Sequence, residues 1–264
     1  MNGSYGNGPT METLHEHMCA AVEMLNAHEG PADHDELVRL ARLGAPFASA
    51  LASMYAGEPQ VTAAGQLVAI DETTRISVDE GLALYNAVID SGTTRTLEVG
   101  LAYGFSAAYL LAGLAANGGG VHTAIDPFQA SDWQGIGVTA AQRLIAGTSA
   151  LTPDSLVLLE ERSEDALPSL RRQGATFGVI FIDGYHRFDD VLVDVTLAAP
   201  MCPLGGLIVL HDMWLDSIAA VASFLRRNRV DFAEIDLDCE NLYAMRRIGA
   251  DERNWDHFVA FPMR

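Results

Sequence analysis

Two acid and imidazole pairs stand out among the ionisable residues of this chain: Asp183 with His186 in IDGYH, and the adjacent His211 and Asp212 in LIVLHDMW. Imidazole titrates near neutral pH, so His186 and His211 are candidate general bases, and Asp183 and Asp212 can orient them or a substrate amine. Each pair follows a continuous apolar run, VIFI or LIVL, of the kind that forms a strand buried on both faces of a parallel sheet. A single histidine in such a place is more often structural. Two at the tips of neighbouring central strands converge on one edge, with Trp214 just beyond as a candidate substrate contact.

The element that must stand beside these tips is residues 94–116, TRTLEVGLAYGFSAAYLLAGLAA. Its order is a short apolar run, a turn through Gly100 and Gly104, and an alanine-rich helix from Ser106. At the carboxyl end of a parallel strand, the N–H groups of such a turn face a small molecule with an anionic end. A pyrophosphate site would read G-x-G-x-x-G, whereas here three residues separate the glycines. The turn alone also suits some other doubly wound protein. The next strand, VHTAID, ends in Asp126, placed to accept from ribose hydroxyls or simply to begin a turn before Pro127. Phe128 and Trp133 follow, in a loop with Gly135 and Gly137 before a helix over residues 138–146. They can sandwich an adenine or acceptor ring, or pack as core. Residues 155–161 predict a third strand, after which Ser163, Glu164 and Asp165 read either as a ligand-facing turn or as a helix start with favourable acids.

Upstream, residues 1–75 predict a helical cap, with helices over 11–27, 35–43 and 46–55 bounded by Gly30-Pro31, Gly44 and Gly57. Tyr5, His15, His17 and Tyr55 are candidates there for substrate contact, or else surface and packing residues. Ser77 with Glu80 forms a capping-box signature opening a helix to residue 89. Downstream, a helix over 218–228 precedes DFAEIDLD and NLYAMRRI, two strands joined at Cys239-Glu240, and so short a link demands antiparallel pairing.

The chain has 264 residues, 49% of them hydrophobic, enough for one α/β domain with an appendage. Its formal net charge is −19 and every basic residue is arginine. Such a chain repels phosphate backbones and anionic membranes, which argues against nucleic-acid or membrane partners. Cys19, Cys202 and Cys239 make no C-x-x-C pair, which fits a reducing cytoplasm. No basic-then-apolar leader or membrane-spanning run is expected.

The segment from Glu98 to Ser106 resembles motif I of class I S-adenosylmethionine (SAM) methyltransferases, E-x-G-x-x-x-G-x-S, whose turn wraps the amino-acid end of the donor. Together with Asp126, IDGYH, P-x-G-G-x-I-V-x-H-D and the closing hairpin, the resemblance covers roughly residues 76–248. It looks closest to bacterial small-molecule O-methyltransferases with an I-D-G-x-H motif, several of which tailor antibiotics or sugars. It implies a doubly wound, mostly parallel seven-stranded sheet, Rossmann-like, with an antiparallel C-terminal hairpin over residues 76–264. Implied donor contacts are Glu98, Gly100, Tyr103, Gly104, Ser106, Asp126, Ser163 and Asp183. Catalysis falls to His186, His211 and Asp212, and acceptor contacts to Tyr5, Phe128, Trp133 and Trp214. Asp183, His211 and Asp212 match in position the divalent-metal ligands of metal-dependent relatives, although histidine favours softer ions than magnesium. The expected acceptor is a small-molecule hydroxyl, with an amine as the alternative, and the expected assembly a homo-oligomer built on the cap. Outside this family, an NAD-dependent oxidoreductase and a catalytically silent relative remain alternatives.

Overall fold

A computed structural model describes residues 34–261. The helix expected over residues 11–27, with Tyr5, His15, His17 and Cys19, lies outside the described residues. Two helices come first, α1 (His34–Leu40) and α2 (Ala45–Tyr55), then a small hairpin of β1 (Gln60–Val61) and β2 (Leu67–Val68). The remainder alternates: α3 (Val78–Ser91), β3 (Arg95–Val99), α4 (Phe105–Ala116), β4 (Val121–Ile125), α5 (Ile136–Ala146), β5 (Leu156–Leu159), α6 (Ser163–Arg172), β6 (Val179–Ile182), α7 (Phe188–Ala198), β7 (Leu207–Leu210) and α8 (Asp216–Asn228). Strands β8 (Phe232–Ile235) and β9 (Tyr243–Arg247) close it.

The main sheet has seven strands in the order β5-β4-β3-β6-β7-β9-β8. The five strands β3 to β7 run parallel, and β9 is antiparallel to both of its neighbours. Every residue of β6 and β7 is buried, as their unbroken apolar runs require. The order switches direction at β3, which has β4 on one side and β6 on the other. In open α/β sheets, ligands bind at the strand carboxyl ends beside such a point.

Helix α3 begins as its sequence dictates: Ser77 Oγ accepts from Glu80 N, and the Glu80 carboxylate accepts from Ser77 N. Gly92, at φ +60, ends it. Helix α4 has ten buried residues among its twelve, so a face-by-face apolar stripe is absent and the helix is enclosed all round. Glycines allow that enclosure. A Cβ on Gly81 would lie 2.1 Å from the Tyr109 ring, and one on Gly113 would lie 2.7 Å from Val88. Leu40, Phe47, Leu51 and Met54 of the first helices join the same buried cluster as Leu84, Tyr109 and Leu111.

Several boundaries differ from the sequence expectation, three of them for a visible local reason. Helix α5 begins at Ile136, two residues early, because Gly135 at φ +68 forms its N-cap. Strand β5 is shorter, since Pro153–Ser155 forms a 3-10 turn first. The β8–β9 connection is seven residues, 236–242, rather than two, because Asp236 Oδ1 accepts from Asp238 N and Asp238 turns at φ +53. No helix among the described residues is long and apolar enough to cross a membrane.

Gly81→Ala sets two effects against each other. Helix propensity favours alanine by about 1 kcal/mol, but the new methyl overlaps a fully buried tyrosine, and overpacking costs about 1–3 kcal/mol. Net destabilisation is expected in denaturant unfolding; a stabilised variant would mean that Tyr109 is free to move aside.

Candidate active site

The site is assembled by strand register. Val99 pairs with Ile182 and Ile182 with Leu210, so the residues after them emerge side by side. Asp183 N donates to Val99 O at 2.8 Å, and His211 N to Ile182 O at 3.3 Å. Gly100, at φ +95, passes so close to β6 that a Cβ there would lie 2.1 Å from Asp183 O. The three tips border one cavity of about 670 Å³. Its wall includes Gly100, Tyr103, Gly104, Ser106, Asp126, Phe128, Trp133, Ser163, Asp183, His186, His211, Asp212 and Trp214. Tyr5 lies outside the described residues. Tyr55 is not in the wall, and its hydroxyl donates to Ile76 O and pairs with Tyr109.

Glu98 requires a correction. It stands beneath the cavity, fully buried, and does not line it. Its Oε2 accepts from Ser106 Oγ at 2.8 Å, and its Oε1 faces His122 Nε2 at 2.9 Å, while His122 Nδ1 meets Thr96 Oγ1. On a strand buried on both faces, a carboxylate has nowhere polar to turn except a neighbouring strand and the helix above. Ser163 likewise differs from a cap: it is the first residue of α6, after the N-cap Arg162.

Asp126 gathers the turn. Oδ2 accepts from Leu101 N, Ala102 N and Gln129 Nε2, and Oδ1 from Phe128 N. Oδ1 therefore retains acceptor capacity for a ligand hydroxyl. The small turn, the buried acid and the aromatic wall fit an adenosine-bearing ligand with an amino-acid tail.

Beside this turn, in the same cavity wall, lies the ionisable cluster. His186 Nε2 is 3.4 Å from Asp183 Oδ1 and 3.0 Å from Asp212 Oδ2. His211 Nδ1 is 3.0 Å from Asp183 Oδ1 and 3.4 Å from Asp212 Oδ1, and its Nε2 is 3.4 Å from Glu80 Oε1. Asp212 is held at φ +59, and its Oδ1 accepts from Trp214 Nε1. Hydrogen bonds to Asp183 and Asp212 push His186 up to about 9. Burial opposes charge on His211, yet Asp183 and Glu80 outweigh it and hold that ring at about 10. Burial works against Asp212 and Glu80 as well, and the imidazoles overcome it, bringing both carboxylates down to about 2. The rings differ in access: the His186 side chain is 42% exposed and that of His211 only 8%. One ligand atom each from Asp183, His186 and Asp212 lies within 4.8 Å of the others. Two carboxylates and an imidazole suit a divalent ion softer than magnesium. His186 thus enters the ligand set that the sequence drew with His211.

Residues 97–213 match a family model described as a methyltransferase domain. The match runs from within β3 to just past β7. The seven-stranded order with its antiparallel closing strands is the matching fold. Comparison with curated protein sequences finds no match. Among solved structures, this chain is similar to an O-methyltransferase from Bacillus cereus in complex with S-adenosylhomocysteine (SAH), at 14% identity and TM-score 0.54, over 89% of this chain and 99% of that one. It is also similar to the O-methyltransferase TomG from Streptomyces achromogenes, involved in tomaymycin synthesis and in complex with SAM (17%, TM-score 0.53, 91% and 100%). The O-methyltransferase NovP aligns at 15% identity and TM-score 0.57, over 81% and 99%.

Several residues of the cavity wall escaped the sequence reading. Glu80 and Asn241 border the cavity, and Asn241 Nδ2 donates to Glu80 Oε1 at 2.7 Å. Glu80 reads fully as a helix cap, so nothing local marks its second contact. Residues 72–75 also line the cavity, behind Asp71, which accepts from the Tyr103 hydroxyl. Asp194 is buried in the wall, and burial pushes its carboxyl up to about 6.

A pH dependence of stability follows. The raised imidazoles stabilise the fold fully below their unfolded value of about 6.5, and that contribution is lost as pH rises through 9 to 10. His186 is exposed enough for solvent to screen its share. Thermal melts of chelator-treated protein should therefore fall between pH 7 and 10, and Asp183→Asn should flatten that decline. Parallel declines in both proteins would count against the cluster.

Proposed function

We propose that this chain is a SAM-dependent methyltransferase, moving the methyl group of SAM onto a hydroxyl of a small secondary metabolite or sugar, in the manner of an antibiotic-tailoring enzyme. The observation that carries it is the shared cavity, whose wall holds both the glycine turn with Asp126 and the imidazole–carboxylate cluster. SAM supplies an electrophilic methyl on a sulfonium, which needs a nucleophile in line rather than covalent help. What the protein contributes is alignment, which can supply about 7–11 kcal/mol.

Gly100, Tyr103, Gly104 and Ser106 shape the donor's amino-acid end, Asp126 Oδ1 takes a ribose hydroxyl, and Phe128 and Ser163 border the adenine. Asp183 stands between donor and acceptor. Phe128, Trp133 and Trp214 offer ring faces to the acceptor, and residues 1–75 serve as the cap, with 72–75 at the cavity. His186 is the base, because it is the more open ring; His211 is the buried partner that holds Asp183. At a value of about 9, His186 carries a proton at neutral pH, so it accepts the acceptor's proton only from its neutral fraction. A divalent ion would be held by Asp183, His186 and Asp212, with His211 alongside, and would lower the acceptor's pKa. The carboxylates Asp183, Asp212 and Glu80 outnumber the two imidazoles, which favours a second reading with a cationic amine as acceptor. Support for antibiotic tailoring comes from TomG and its part in tomaymycin synthesis. A cytoplasmic homo-oligomer belongs to the same proposal, to be checked by light scattering.

Calorimetry with SAH tests the donor site: the wild type should bind, and Gly100→Ala should lose binding, since its methyl would meet Asp183 O. Absence of heat with the wild type would sink the proposal. A panel of hydroxyl and amine acceptors, followed by SAH release, separates the two acceptor classes. With the acceptor so found, His186→Ala should keep SAH affinity within about threefold and lose at least ~100-fold in turnover. In chelator-treated enzyme, the acid limb of the rate profile should rise toward pH 9.

A further inference from the structure

The donor site has a supporting residue outside its wall. Gln129 is 1% exposed, in the loop between β4 and α5. Its Nε2 donates to Ala102 O at 2.8 Å and to Asp126 Oδ2 at 3.0 Å. Ala102 N donates to the same Asp126 oxygen at 2.8 Å. Ala102 is thus clamped at both its N–H and its carbonyl, and it is the residue of the glycine turn that most needs clamping. It stands at φ +44, a left-handed conformation that alanine rarely adopts.

The other end of the amide shows what holds Gln129 in place. Gln129 Oε1 is buried without a hydrogen-bond partner among the described residues. Turning the amide over would satisfy nothing, because Oε1 would then face Ala102 O and the Asp126 carboxylate, acceptor against acceptor. Both amide hydrogens are committed, and the orphaned oxygen is the consequence. An apolar side chain of equal length would avoid that orphan and lose only the clamp.

We propose that Gln129 is a positioning residue for the methyl donor, holding Ala102 left-handed against Asp126 so that the turn keeps the shape that receives the donor's amino-acid end. The role rests on SAM being the ligand of this cavity. It acts through Ala102 and Asp126, without touching the ligand, and it leaves Asp126 Oδ1, whose one partner among the described residues is Phe128 N, as the oxygen with acceptor capacity to spare.

The test is calorimetry at a temperature well below unfolding, where a purely structural contribution leaves affinity untouched. Gln129→Met should weaken SAH binding at least tenfold, and 5′-methylthioadenosine, which lacks the amino-acid end, less than threefold. Glycine at position 102 adopts φ +44 without strain, so the double variant Ala102→Gly/Gln129→Met should regain at least threefold of the lost SAH affinity. Gln129→Glu keeps the shape but has no donor, and should match or exceed the loss; it carries the test if the methionine variant folds poorly. SAH affinity within twofold of wild type in either variant, or equal losses for both ligands, overturns the proposal. No binding by the wild type would instead remove the donor site itself, and this role with it.

Discussion

The close passage of Gly100 over the tip of β6 is the constraint on which the rest depends. With no side chain at Gly100, the backbone of the turn lies directly against Asp183 O, and the β3–β6 ladder continues one residue past β6, where Asp183 N donates to Val99 O at the end of β3. The glycine turn and the acid tip are therefore one rigid unit, not two loops that happen to meet. The in-line transfer proposed for this site would gain from such an origin, because positions fixed by sheet register move less than positions fixed by loops.

Charge is organised in two tiers around that contact. Glu98, His122 and Ser106 form a closed, fully buried set between β3, β4 and α4, which commits the carboxylate of the turn's own strand to structure. The second tier, Asp183, Asp212, Glu80 and two imidazoles, is left partly open to the cavity. In the absence of any other cation, protons on His186 and His211 balance most of the carboxylate charge. The same contacts that orient the rings also raise their affinity for protons, so orientation and basicity come from one source.

Much of the fold was legible in the sequence because its signals were periodic and local. The buried runs VIFI and LIVL, the capping box at Ser77 and Glu80, and the left-handed glycines 92, 100 and 104 each do locally what their residue types imply. The tips after Val99, Ile182 and Leu210 do share one cavity. Glu98 could not be placed from sequence, because facing His122 depends on the register between β3 and β4, which pairs His122 with Thr96, two residues before Glu98 on the same face. Asn241 and Gln129 are similar cases: polar residues in loops, with partners 161 and 27 positions away.

Glu80 shows why a complete local explanation can conceal a second role. One carboxylate oxygen closes the capping box on Ser77 N, which already accounts for a glutamate at that position. The other accepts from Asn241 and stands 3.4 Å from His211 Nε2, so the start of α3, the β8–β9 connection and the tip of β7 meet on a single side chain. A glutamine would preserve the cap, since its one oxygen can accept from Ser77 N. It would then turn an amide donor toward Asn241 and His211, donor against donor. Only the carboxylate satisfies both neighbourhoods at once, and its depressed pKa follows from carrying both.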